Sequence, residues 1–366
     1  MATGLDVELI QAASAGNSEK VRALVEEGAE VNARHASGIT AVLAAALGGG
    51  IEIVQFLAAR GADLNLRYRN KATLLILAAT QGQAGVTHFL LQKGVDPNLQ
   101  AEAGSTALLA AAIGGHVDTV EALLSHGADA NLADNEGMTP LIGAAKAGHL
   151  EVVCALLAHG ASMEGALVSA AGVHPPVACL LLERGADPNA RNERGLPLLV
   201  SAAADNDFDW LSNLLRYHAD VNAAGPDGTT ALIAASLHGH VKVAQELLAQ
   251  GADINARGEK GIGALTAAII RGHQDVARAV DWTGSRRERH DRYGGKSFNG
   301  SGNVQSRAGA AAAGGWRLRE SGRFPGHRRD AGGCAAGRCA GDRGAAGTRG
   351  RAVGETGWRN EPRRGR

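Results

Sequence analysis

The sequence predicts an all-α solenoid of stacked helix-turn-helix units joined by hairpin-like loops, followed by a disordered C-terminal tail. Three observations predict it. A Gly-Ala-Asp-x-Asn phrase or a close variant starts at Gly28, Gly61, Gly94, Gly127, Gly160, Gly185, His218 and Gly251, at spacings of 33, 33, 33, 33, 25, 33 and 33 residues. A fixed period of this length is the signature of a repeat architecture. Aromatic residues make up 3% of the chain against 45% hydrophobic, so the core is built from Ala, Leu, Val and Ile. Such a core suits thin helices in close approach and excludes a large aromatic-lined cofactor pocket. The third observation is charge. The formal net charge is zero, yet residues 1–280 hold 18 Lys and Arg against 29 Asp and Glu, and residues 281–366 hold 19 against 8. An acidic body carries a basic tail.

Each part of the period has a physical role. Twelve residues after the start of each full phrase comes Thr40, Thr73, Thr106, Thr139, Pro197, Thr230 or Gly263, followed by an Ala- and Leu-rich run. A Thr there caps the free amides of a first helix, and Pro140 suits the first helical position. Gly49, Gly82, Gly115, Gly148, Asn206 and Gly239, with Gly16 and Gly272 at the two ends, supply residues able to enter the left-handed conformation that ends that helix. A second amphipathic segment follows, as in 117–124 or 150–157, and stops at the next phrase. One such helix pair is too thin to bury its own apolar faces, so it must lean on its neighbours.

These residues resemble the ankyrin-repeat family. The resemblance rests on phrases such as Gly127-Ala128-Asp129-Ala130-Asn131, Gly137-Met138-Thr139-Pro140-Leu141, Gly148-His149-Leu150-Glu151-Val152-Val153 and Leu156-Leu157, and covers residues 5 to about 280. It implies a right-handed stack of helix pairs with hairpin fingertips along one side, used to bind other proteins. Three departures qualify it. Where the family has His after the Thr-Pro-Leu motif, this chain has Leu43, Ile76, Leu109, Ile142, Val200, Ile233 and Thr266, so apolar packing replaces a polar network. The unit between Gly160 and Gly185 is eight residues short: Met163 and Glu164 lead almost directly into Ala166, which predicts a missing finger and a notch in the fingertip row, with both helices kept. At the far end Val280 is followed by Asp281-Trp282-Thr283-Gly284, which predicts that the last helix pair loses its second half.

The organisation is therefore an array over 1–280, of about eight to nine repeats, and a tail over 281–366. The tail is rich in Arg, Gly and Ala and too poor in apolar residues to offset the ordering of its backbone. Its switch of composition falls in the middle of a repeat, as an out-of-frame or splice-derived segment would.

No phosphate loop, zinc-protease His pair or serine elbow is present, so no enzymatic activity, cofactor or metal is expected. His116, His149, His174, His240 and His273 recur once per repeat, too far apart to converge on one ion, and are expected to buttress turns. Cys154 and Cys179 are expected as small buried thiols of second helices, and Cys334 and Cys339 sit in the tail without further ligands. Four cysteines, and a start without a basic segment, suit a cytoplasmic or nuclear protein. No apolar run is long enough for a membrane span.

Binding falls to the fingertips, aligned as 34–37, 67–71, 100–103, 133–136, 191–194, 224–227 and 257–260. Arg67, Tyr68, Arg69 and Lys71 stand out, with three cations, an aromatic and a Lys where the other tips carry Gly. Arg and Tyr are residue types that anchor interfaces. Arg191, Glu193 and Arg194 form a second candidate across the notch, and Trp210 is expected to be a partly buried residue of a second helix. The expected partner is another protein, bound by a monomeric scaffold or adaptor. The alternatives are a substrate-recruiting subunit of an enzyme complex, or nucleic-acid binding through the tail, where Arg among Gly with Trp316 and Trp358 offers phosphate contacts and stacking.

Overall fold

A computed structural model describes residues 3–293, with side chains to residue 283. Nine helix pairs follow one another among the described residues. The first five are α1 (Gly4–Ser14) with α2 (Ser18–Glu26), α3 (Ala41–Leu47) with α4 (Ile51–Ala59), α5 (Leu74–Thr80) with α6 (Ala84–Gln92), α7 (Ala107–Gly114) with α8 (Val117–Ser125), and α9 (Pro140–Ala147) with α10 (Leu150–Ala158). The last four are α11 (Ala166–Ala170) with α12 (Pro175–Glu183), α13 (Leu198–Ala204) with α14 (Phe208–Arg216), α15 (Ala231–His238) with α16 (Val241–Ala249), and α17 (Ala264–Arg271) with α18 (Gln274–Tyr293).

The helices start where capping chemistry allows. The Thr40, Thr73, Thr106, Thr139 and Thr230 hydroxyls accept hydrogen bonds from the amides of Leu43, Ile76, Leu109, Ile142 and Ile233. Each bond satisfies one of the donors that a helix N-terminus leaves free. Leu43, Ile76, Leu109, Val200 and Ile233, at the position where a His was expected from the resemblance, are themselves buried. At the other end Gly115 has φ +72, and a Cβ there would lie 2.7 Å from the His149 ring. Asn206 takes the same left-handed conformation at φ 59, without the freedom of glycine.

First helices pack on first helices and second on second along the array, and within each pair the two also touch. The core is one continuous cluster running from Leu9 to Val280. Stacking is weakest after the short repeat, where α11 and α13 are separated by a cleft between Val168, Ala171, Leu198 and Ala202.

The short repeat keeps both helices and lacks a finger. Its first helix has five residues, and the chain enters it through Gly165 at φ +74, a sharp re-aiming of the backbone that a residue with a side chain resists. Pro175 begins α12 at the first helical position, and Trp210 is buried in α14.

Two expectations are corrected. The last pair does not lose its second half: α18 buries Val276 and Val280 and continues to Tyr293. No Gly-Ala-Asp turn follows Gly284. The Arg-Arg-Glu-Arg stretch after it has good helix propensity, so one glycine does not end the helix. Cys154 and Cys179 are buried but are not free thiols, since both are disulfide-bonded. They hold the same position, six residues before the phrase glycine, in α10 and α12, which pack on each other. The remainder of the tail, with Cys334, Cys339, Trp316, Trp358 and any nucleic-acid site there, lies outside the described residues.

Candidate protein-binding surface

Seven fingers project between the helix pairs among the described residues. Each is closed at its neck by one amide-to-carbonyl bond across four residues: His35 to Ile39, Tyr68 to Ala72, Ala101 to Ser105, Asp134 to Met138, Asn192 to Leu196, Gly225 to Thr229 and Gly258 to Ile262, at 2.8–3.1 Å.

Three rows of hydrogen bonds tie repeat to repeat. In the first, the phrase Asp accepts from the amide two residues on, as Asp129 does from Asn131, and the phrase Asn reaches the next repeat. Asn32, Asn98 and Asn131 donate to the carbonyls of Gly61, Gly127 and Gly160, and accept from the amides of Asp63, Asp129 and Ser162. The recurring acids are thus turn-forming residues. In the second row the imidazoles of His116, His149, His174, His240 and His273 meet the carbonyls of Thr80, Ile113, Lys146, Ala204 and Leu237 at 2.9–3.2 Å. These carbonyls lie at C-terminal ends of first helices, where acceptors need partners. The histidines buttress turns.

The third row joins the fingers. The Ser37 carbonyl accepts from the Tyr68 hydroxyl, the Asn70 carbonyl from the Glu102 amide and the Ala103 carbonyl from the Asn135 amide. Arg67 donates to the carbonyls of Lys71 in its own finger and Gln100 in the next, Gln100 repeats this toward Gly104 and Ala133, and Arg191 toward Gly195 and Ala224.

The sequence candidates therefore divide. Arg67 and Arg191 brace fingers, and Tyr68 is half-buried between two of them, with Arg69 over its ring at 5.8 Å. Arg69, Lys71, Glu193 and Arg194 are exposed and make no ion pair among the described residues. Lys71 stands at φ 58, in the left-handed turn. The two candidate groups sit on different fingers, with those at 101–105 and 134–138 and the notch between them.

The notch is a cleft of about 740 Å³. Its walls are the tips around Glu136 and Met138 on one side and Glu193 to Leu196 on the other, and its floor is Ile142 and Val168. Sequence reasoning located the notch and two of its residues, Glu193 and Arg194. It missed Lys146 on α9 and Asp205 at the C-terminal end of α13, whose part in the cleft depends on how those two helices are spaced. No group of three or more His, Cys, Asp or Glu able to hold a metal ion occurs among the described residues. No described helix is long and apolar enough to cross a membrane.

A helix-pair solenoid with a braced finger row is a class of protein built to present surface rather than to enclose a reaction. The ankyrin-repeat profile matches the chain three times, over residues 9–101, 75–165 and 166–258, and the chain belongs to the ankyrin repeat family. No curated protein matches it. Ankyrin repeats generally mediate protein–protein interactions.

Proposed function

We propose that the protein is a non-catalytic, monomeric scaffold or adaptor that holds a partner protein against its finger row and the adjoining groove. The observation that carries this reading is the bracing of the fingers. Arg67, Tyr68, Gln100 and Arg191 each tie a finger to a neighbouring one, so Arg69, Lys71, Glu193 and Arg194 are offered on backbones already held in place. A partner then orders little beyond the side chains it touches, and preorganisation of that kind raises affinity.

The test is affinity capture by the full chain, repeated with Arg69→Ala and Lys71→Ala combined and with Glu193→Ala and Arg194→Ala combined. These substitutions leave the bracing bonds intact. Loss of captured proteins with retained folding supports the reading. An unchanged set with both pairs would remove the fingertips from it.

A further inference from the structure

The amide ladder of the fingers ends at the notch at a definable pair of atoms, since beyond it Pro226, with no amide hydrogen, holds the donor position. Ser37, Asn70, Ala103 and Glu136 occupy one tip position of successive fingers. The first three carbonyls each accept a bond from the following finger, whereas no following finger reaches Glu136. Glu102, Asn135 and Glu193 occupy the donor position. The first two amides donate to the preceding finger, whereas Glu193 has none to donate to. One lip of the cleft thus presents a backbone acceptor and the other a backbone donor, at the positions where an intervening finger bonds on both its sides. Between them lie the apolar floor of Ile142 and Val168 and the apolar walls of Met138 and Leu196.

We propose that this notch is a berth for a β-hairpin loop of a partner protein, carrying cations at its tip, which takes the place of the missing finger. This rests on the scaffold reading above and names the partner's local structure. The turn geometry follows from the ladder, since a hairpin tip is what fills this space between the other fingers. The charge follows from the lining. Glu136, Glu193 and Asp205, with Asp207 in the adjoining 150 Å³ cleft, outnumber Lys146 and Arg194. Complementary charge on the loop steers it in and fixes its orientation.

The probe is a cyclised peptide of residues 66–73 of this chain, whose Arg67-Tyr68-Arg69-Asn70-Lys71 tip is cationic and forms a finger here. The control is the same ring with its cations changed to Glu. Titration against the full-length protein, followed by isothermal calorimetry, is expected to show saturable one-to-one binding of the cationic ring. Binding is expected to be at least about tenfold weaker for the acidic ring and for Glu136→Lys with Glu193→Lys, a loss of about 1.4 kcal/mol. A second variant inserts a copy of residues 132–139 after Glu164, restoring the finger, and is expected to abolish binding.

Equal affinity for both rings, no binding, or binding that persists when the notch is reversed in charge or filled would overturn the proposal. Self-association of the full chain that disappears in Glu136→Lys with Glu193→Lys would also overturn it, by identifying the occupant as a second copy. If the ring fails while partner capture remains sensitive to Arg69 and Lys71, the berth is wrong and the scaffold reading stands. If neither responds, both fall.

Discussion

Asp6 shows how one carboxylate closes the N-terminal end of the array. Its oxygens accept from the backbone amides of Thr3 at 2.6 Å and Glu30 at 2.8 Å. The Thr3 amide, then the Glu30 amide and the Thr3 hydroxyl, hold its pKa below the usual carboxylate value. A depressed folded pKa means that the group stabilises the native state above the unfolded pKa, about 3.9 for Asp, and that this stabilisation is lost as pH falls through the lower folded value. Asp6→Asn is expected to melt at a lower temperature at pH 7 and to converge with the parent as the pH falls through that lowered folded value. A constant gap between the two curves from pH 7 down through the carboxylate range would show that the ionised form is not what matters. Two turn residues give opposite expectations. Lys71 sits at φ 58 where the other tips have glycine, so Lys71→Gly is expected to stabilise by about 1 kcal/mol, the usual cost of a left-handed residue, read from urea denaturation. Gly115→Ala combines a positive φ with a clash on His149 and is expected to destabilise by more than about 1 kcal/mol. A neutral result would mean that the imidazole moves aside without cost.

Among the helices, those whose boundaries rest on local chemistry were legible in the sequence. Thr139 followed by Pro140 and Leu141 states a helix start on its own, and the Asn131 bond to Gly160 recurs because every phrase sits at the same place in its repeat. What spacing could not show was how a side chain divides its donors between its own finger and the next. Arg67 looks like a free cation beside Arg69 and Lys71, and only the position of Gln100 reveals that it is a brace. The bonded state of Cys154 and Cys179 was hidden too, since a lone Cys in an apolar helix reads as a small buried thiol. The far end misled because Gly284 keeps the period while the residues after it lack the turn chemistry. The five-residue α11 cannot be stable on its own propensity, and it leans less closely on α13 than other first helices lean on theirs. Its amides are expected to exchange with solvent faster than those of α7 and α9. Hydrogen-exchange mass spectrometry showing equal protection through all three would contradict that ordering.

For the whole molecule, stability in a repeat array is close to a sum of repeat terms and nearest-neighbour terms. The weak junction after α12 is one such term, and at it the Asn row also lapses, because Glu164 stands where other phrases carry Asn. Denaturation is therefore expected to split into two steps, with the block around α1–α10 and the block around α13–α18 losing structure at different urea concentrations. Circular dichroism of the whole chain compared with Trp210 fluorescence in a variant lacking the other tryptophans checks this. Coincident curves would mean that the array unfolds as one unit. The notch has a mechanical side as well. The histidine row fastens α12 to the Lys146 carbonyl but stops at the weak junction, where Asp207 stands in the histidine position, and the finger row is unbuttoned from Glu136 to Glu193. Such a rod flexes at one place, and a guest wedged into the gap would straighten it like a splint.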